Sequence, residues 1–341
     1  MRIIIDARAA GTFPGFRTRE LRDVVERLLT RARGEQVRVI SIQGEASPYA
    51  TLSPAHVLSA KLLGGESVAL FLKQVGDKQT DHPEKAQRDR EIMVYERLLR
   101  DPALPVPSYY GSARNAATQR VDLFLEHVDG WNLKYQPLEH WFTAARRLAH
   151  LHRHFAAIRD ELMAAEYLLR FDEAYLLDWV DRSVRGVGER FPDLARELED
   201  IVRGVGPMVG LLTGQPSTLV HNDPSPKNVV ADTSSSPARI CFVDWEMAGI
   251  GCGLLDLVHL RYGLERPFAD RMLETYASEL EGTGLIPIGP ELDQLVAACE
   301  LEKTLYRLAF SSVWHLPRER VREWVAESRE LLPLCDPGGS R

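Results

Sequence analysis

Asp223, Asn228 and Asp244 are the residues of this chain whose types and spacing point to chemistry. Each is delivered by an apolar run. Thr218-Leu219-Val220 reads as a short strand ahead of His221-Asn222-Asp223, Asn228-Val229-Val230 as a second, and Arg239 to Val243 as a third that ends at Asp244. Pro224 and Pro226 stiffen the loop that carries Asp223, Pro224 biases that residue toward extended backbone, and a Ser-rich turn spans Asp232 to Pro237. Oxygen-bearing side chains thus leave strand ends three times in a short span. Phosphoryl transfer asks for such a set: a carboxylate to orient and deprotonate an attacking hydroxyl, and a carboxylate with an amide to hold Mg²⁺ against nucleotide phosphates. Mg²⁺ takes oxygen ligands and keeps much of its water, so few side chains suffice. Asp223 fits the first role, and Asp244 with Asn228 the second. An isolated His-x-Asp or a lone aspartate at a strand end is ordinarily a turn or cap residue, so the reading rests on order and spacing together.

The same stretch resembles the aminoglycoside phosphotransferase and choline kinase family, whose members carry His-x-Asp-x-x-x-x-Asn, a strand, and Asp followed by an aromatic and an acidic residue or glycine. Here these are His221-Asn222-Asp223, Asn228 and Asp244-Trp245-Glu246, and Gly253-Leu254-Leu255-Asp256-Leu257 is similar to the segment whose aspartate braces the catalytic loop. His221-Asn222-Asp223-Pro224 departs from the commoner His-Gly-Asp-Leu while keeping the chemical residues. The resemblance implies an α+β, two-lobed, protein-kinase-like fold, with a small antiparallel sheet lobe over residues 1–126 and a larger, mainly helical lobe over 127–341. It also implies ATP or GTP as phosphoryl donor, Mg²⁺, and a small-molecule hydroxyl acceptor such as an aminoglycoside or other antibiotic, an amino alcohol, a sugar or a nucleoside. His221 is expected to be structural, bonding backbone near Asp244.

The elements that position these groups follow from periodicity. Leu21, Val24, Val25, Leu28 and Leu29 recur at helical spacing within Thr18 to Arg33. Val37 to Ile42, Ala55 to Leu62 and Ser67 to Val75 read as three strands, with a long loop from Gly44 to Pro54 and a Gly64-Gly65 hairpin turn. The first loop has no Gly-x-Gly-x-x-Gly, which leaves its phosphate contacts unassigned. Lys73 is the one lysine in its apolar strand, where burial is costly unless it is paired. By resemblance Lys73 holds the α- and β-phosphates and pairs with Glu91 of the helix Gln87 to Leu99, with Glu96 as the alternative. Asp77 to Lys85 reads as a polar, mobile connection. Leu104 to Pro107 leads into a fourth strand and Arg120 to Glu126 forms a fifth. Glu126 to Gly130 resembles the hinge whose main chain, at Glu126 and Val128, reads the purine edge. Beyond it, Leu138 to Phe155, Arg159 to Val202, Phe268 to Leu280, Glu291 to Ser311 and Pro317 to Leu332 read as helical, and His152 as a packed core histidine.

Composition bounds the alternatives. The chain of 341 residues is long enough for two lobes. A net charge of −7 argues against a nucleic-acid partner. No apolar run is long enough to span a membrane, and the apolar start Ile3-Ile4-Ile5 is cut short at Asp6, too soon for a signal peptide. Four scattered cysteines suggest reduced thiols in cytoplasm, and a monomer or homodimer is expected. Two other classes share parts of the pattern: a catalytically weak nucleotide-binding regulator, and a metal-dependent hydrolase, for which the multi-histidine ligand sets are missing.

Overall fold

The computed structural model describes residues 12–13, 16–47, 54–75, 82–87, 89–114 and 120–336. The chain divides into two compact units, one of Met1–Trp131 with Val230–Glu246 and one of Asn132–Val229 with Met247–Arg341.

The first unit is built on helix α1 (Thr18–Arg33), strands β1 (Val39–Ala46), β2 (Ala55–Leu62) and β3 (Ser67–Val75), helix α2 (Arg90–Arg97), and strands β4 (Tyr109–Arg114) and β5 (Val121–Glu126). The five strands form one antiparallel sheet in the order β1-β2-β3-β5-β4. Leu21, Val25 and Leu29 of α1 bury against Leu58, Leu62, Leu70, Leu72 and Phe124 of the sheet, so the 3.6-residue and 2-residue periods meet in one core. Each such side chain, taken fully from water, contributes roughly 1.5–3 kcal/mol. Because side chains alternate along β3, Leu70 and Leu72 fill this core while Lys73 points to the opposite face. Gly64 and Gly65 turn β2 into β3 at φ 112° and 93°, a conformation that side chains with a Cβ resist.

The loop expected from Gly44 begins only after Ala46, because Gly44, Glu45 and Ala46 find ladder partners in Leu58, Val57 and His56. The rest of that loop, 48–53, lies outside the described residues, as do 77–81 of the expected mobile connection. The described part of that connection is anchored: Pro83–Ala86 forms a short 3-10 turn and Lys85 pairs with Glu246. The segment 230–246 reaches this unit from far along the sequence as a hairpin of strands Val229–Asp232 and Arg239–Phe242. Phe242 N–H donates to the Pro105 carbonyl at 2.8 Å, and Arg239 binds the Glu126 carboxylate through both guanidinium nitrogens.

The second unit comprises α3 (Leu138–Ala156), α4 (Arg159–Ala164), β6 (Leu169–Arg170), α5 (Glu173–Gly188), α6 (Pro192–Val202), α7 (Gly206–Thr213), β7 (Ser217–Val220), β8 (Gly249–Cys252), α8 (Leu254–Leu260), α9 (Arg266–Glu279), α10 (Pro290–Ala309) and α11 (Arg318–Leu331). Strand β7 runs antiparallel to β8, which runs parallel to β6. Helix α10 is buried on most of its faces and serves as the axis on which α5, α7, α8 and α11 pack. The stretch 159–202, expected to be continuously helical, is broken by β6. Helix α5 then restarts where Asp172 caps the Tyr175 N–H at 2.9 Å, and α6 restarts with Pro192 at its first position. Helix α7 was not among the expected elements. No helix among the described residues is long and apolar enough to cross a membrane.

Candidate active site

In the first unit Lys73 joins three elements. Its Nζ lies 2.7 Å from Glu91 Oε2 on α2 and 2.5 Å from Asp244 Oδ1 at the end of the hairpin. Burial works against the lysine's charge, but the carboxylates of Asp244 and Glu91 outweigh it and raise the lysine's pKa. Glu91 is itself pushed up to about 7, by burial first and then by Asp244 and Glu246, with Lys73 opposing. Two carboxylates share one ammonium, and the buried one, Glu91, is the one whose ionisation is resisted. Asp244 has φ 72°, a left-handed backbone that aspartate tolerates better than most residues. Behind it, Arg90 donates to the Glu246 carbonyl at 2.8 Å and to the Glu84 carbonyl. Of the expected hinge, Glu126 has its carboxylate on Arg239 and Ser108 and its N–H on the Ser108 carbonyl. The Arg239 hydrogen bonds, against burial, hold the Glu126 carboxyl down to about 2. Among the described residues, the Val128 N–H has no partner in the chain, while the neighbouring His127 N–H is spent on Ala69.

In the second unit the loop after β7 is held from beneath by Asp256 of α8. This wholly buried carboxylate accepts the His221 N–H at 2.6 Å and the Asn222 N–H at 2.8 Å, while His152 Nε2 lies 3.3 Å away. Burial opposes its ionisation, but the His152 hydrogen bond and the charges around it win, so its pKa is lowered. His152 is in turn fixed by the Tyr276 hydroxyl at 2.7 Å from Nδ1. Gly253 is needed here, since a Cβ would stand 2.7 Å from that ring nitrogen. Asn222 adopts φ 68° and so turns the chain toward Asp223. The buried His221 ring accepts the Asp223 N–H at 3.3 Å on Nδ1.

Asp223 and Asn228 are brought together. The Asn228 amide nitrogen donates to the Asp223 carbonyl at 2.9 Å and to Oδ2 at 3.0 Å, and Lys227 Nζ lies 3.4 Å from the same Oδ2. Asn228 sits in the 3-10 turn Pro226–Asn228 rather than opening a strand, which is what allows its side chain to reach back. Burial opposes ionisation of Asp223, yet His259 and Lys227 outweigh it and lower its pKa. With the Asn228 nitrogen spent on Asp223, its side-chain oxygen is the atom of this loop that could hold a hard cation such as Mg²⁺.

Two residues of this site escaped the sequence reading. His259 Nδ1 lies 3.1 Å from the Asn222 carbonyl and its Nε2 3.5 Å from Asp223 Oδ1. Its signal was its place three residues after Asp256, one turn along the same helix face. Lys303 of α10, buried with Glu302, reaches Asn222 Oδ1 at 3.0 Å, and no motif marks it.

Set against known proteins, this arrangement defines a small-molecule phosphotransferase. The model of the phosphotransferase enzyme family matches residues 62–291, more than half of the sequence, and the chain belongs to that family. A search of curated proteins gave no match. Among solved structures, a microcompartment-associated aminopropanol kinase is similar at 16% identity and TM-score 0.54, covering 86% of this chain and 91% of its own. A choline kinase from Cryptosporidium parvum Iowa II is similar at 13% identity and TM-score 0.56, with 85% and 90% covered. The GDP and kanamycin complex of an aminoglycoside phosphotransferase is similar at 15% identity and TM-score 0.56, with 87% and 93% covered. At these identities the likeness shows the fold, which is protein-kinase-like.

Proposed function

We propose that this protein transfers the γ-phosphoryl group of ATP or GTP to a hydroxyl of a small molecule, with an amine-bearing alcohol as the first acceptor to test. The observation that carries the reading is the state of Asp223: Oδ2 is tied to Asn228 and Lys227, its ionised form is favoured by its surroundings, and the side chain still reaches solvent. A carboxylate held in place, ionised and partly exposed is suited to orient a hydroxyl and take its proton. Lys73, kept charged by Glu91 and Asp244, offers an ammonium for nucleotide phosphates. The open Val128 N–H and the Glu126 carbonyl are assigned to the purine edge. Asp244 and Asn228 are assigned to Mg²⁺, which when bound supplies charge neutralisation at the phosphates.

The preference for a nitrogen-bearing alcohol is supported by the three similar structures, since aminopropanol, choline and kanamycin are all alcohols whose nitrogen is cationic at neutral pH. Sugars, nucleosides and antibiotics other than aminoglycosides stand behind them. The hydrolase alternative gains no support, because no cluster of three or more His, Cys, Asp or Glu able to hold a metal occurs among the described residues. The test is a panel of hydroxyl compounds with MgATP and MgGTP, read as product phosphate ester against an acceptor-free control. Ester formed from an amino alcohol or aminoglycoside is the expected result. Nucleotide binding without turnover of any compound would make the chain a regulator, and an anionic acceptor turned over best would overturn the amine preference.

A further inference from the structure

Arg307 of α10 carries a charge that the chain leaves unanswered. Its Cζ stands 3.3 Å from the ring centroid of Tyr262, too close for an N–H to point at the ring, so the guanidinium lies flat on the aromatic face. Stacked in this way, it keeps its N–H groups directed outward around the rim of the fork. Among the described residues none of those groups meets an acceptor, and no carboxylate stands within ion-pair distance. Burial pushes the arginine's pKa down, with Tyr262, Glu327 and Glu302 opposing too weakly to prevail. A half-buried cation without a partner is costly, and an apolar side chain of similar length would cover Tyr262 without that cost.

The other cations near Asp223 are engaged. Lys303 lies 3.0 Å from Asn222 Oδ1 and 3.7 Å from Glu302, Lys227 lies 3.4 Å from Asp223 itself, and Arg261 lies 2.5 Å from Glu300. Two elements lead from the Asp223 loop to Arg307. On α10, Lys303 touches the Asn222 that precedes Asp223, and Arg307 is four residues on along the same helix face, one turn or about 5.4 Å away. On α8, His259 Nε2 lies 3.5 Å from Asp223 Oδ1, and Tyr262 is three residues on, in the turn that continues the helix, with its N–H on the His259 carbonyl. The Tyr262–Arg307 stack therefore stands about one helical turn beyond the contacts with the Asp223 loop, a separation that a few bonds of a small molecule span.

We infer that Arg307 binds a carboxylate of the acceptor substrate, which makes the acceptor a hydroxy amino acid. This rests on the kinase reading above and deepens it: the hydroxyl and the amine come from that reading, the carboxylate from Arg307. A guanidinium presents two parallel N–H groups that match the two oxygens of a carboxylate. One unpaired cation answers one negative charge, which favours a carboxylate over a phosphate monoester, whose further charge has no counterpart here. Removing the carboxylate leaves an amino alcohol that the stack no longer holds, and a site built to hydrogen-bond a substrate group rejects the analogue that lacks it. Arg307 is a specificity-determining residue.

The experiment has two arms on the full chain. In the first, three pairs that differ only by the carboxylate are compared as acceptors with MgATP and MgGTP: L-serine with 2-aminoethanol, L-threonine with 1-amino-2-propanol, and L-homoserine with 3-amino-1-propanol. Wild type is expected to favour at least one amino acid over its partner by more than about tenfold in kcat/KM. In Arg307→Met, which keeps an unbranched stem without the charge, that ratio is expected to collapse toward one through a raised KM for the amino acid. A wild type that favours the amino alcohol in every pair, a preference equally strong in the variant, or glycerol 3-phosphate turned over better than any amino acid overturns the inference. The second arm needs no turnover: the Arg307 Nε–H resonance, identified by its absence in Arg307→Lys, is followed during titration with the same six compounds. A shift with an amino acid and none with its amino alcohol is expected. No shift with any amino acid, or equal shifts within every pair, overturns the inference. If wild type phosphorylates nothing, the kinase reading fails by itself and the resonance still decides whether Arg307 takes a carboxylate.

Discussion

Asp223 and Lys73 are each fixed by partners that leave one function open. Asp223 is ionised and oriented before any hydroxyl arrives, so its loss should be felt in chemistry rather than in nucleotide binding. Asp223→Asn keeps the shape and removes the charge, and general-base contributions are about 10² to 10⁴-fold. A kcat reduced by roughly that range, with MgATP affinity by calorimetry changed less than about threefold, is the expected outcome. Lys73 behaves differently because it neutralises two carboxylates. In Lys73→Ala the wholly buried Glu91 loses its counter-charge, and breaking a buried pair costs about 3–5 kcal/mol unless the remaining acid protonates. Glu91, already pushed up to about 7, can take that proton, so the variant should fold with a lowered Tm while its nucleotide affinity falls at least tenfold or so. Nucleotide affinity unchanged by this substitution would remove Lys73 from the phosphate site.

At the scale of elements, the loop after β7 is only as firm as its brace. Asp256→Asn keeps one acceptor oxygen for two buried N–H groups and sets an amide against His152, so one donor is left unpaired at about 1–3 kcal/mol. Tm should fall by several degrees and kcat should drop with it, whereas Asp223→Asn leaves Tm nearly unmoved. The Arg239–Glu126 pair plays a comparable part for the hairpin, at the surface. Its carboxyl titrates near 2 in the folded chain against an ordinary value of 4.5, so its stabilisation is fully present above about pH 4.5 and is lost as pH falls toward 2. With side chains 41% and 22% exposed, the pair is worth only about 1 kcal/mol. Glu126→Gln should therefore be less stable than wild type by about that much at pH 7, and the two denaturation curves should converge as the solution is acidified through this window.

These elements also show what the sequence makes readable. Strands β2 and β3 and helix α1 lie where alternation and helical spacing put them, since a one-faced core writes its period into the chain. Lys73, Asp223, Asn228 and Asp244 stood out because a polar group at an apolar strand or strand end is costly unless it is used. What escaped was set by tertiary contact. Lys303 and His259 act on the loop after β7 from helices whose sequence shows only amphipathic spacing, and β1 runs on to Ala46 because β2 offers partners, which no local signal announces.

At the scale of the molecule, the first unit is not a contiguous piece of sequence, and this bears on the proposal that an N-terminal lobe handles the nucleotide. Sheet and helices up to Trp131 are completed by 230–246. That segment brings Phe242, wholly buried, whose N–H closes on the Pro105 carbonyl, together with Arg239 for Glu126, the Glu246 carbonyl for Arg90, and Asp244 for Lys73. Removing it uncovers apolar surface and leaves Lys73, Glu91 and Arg90 short of partners inside a small unit, where a stability margin of only about 5–15 kcal/mol has little to spare. A fragment of residues 1–131 should therefore melt without a cooperative transition and gain no stability from MgATP, while the full chain at a nucleotide concentration 100-fold above Kd should gain about 2.7 kcal/mol. Circular dichroism melts with and without MgATP, on the fragment and on the full chain, make the comparison. A fragment that melts cooperatively and is stabilised by the nucleotide as strongly as the full chain would show that residues 1–131 bind it alone, and would release Asp244 from any part in holding the phosphates.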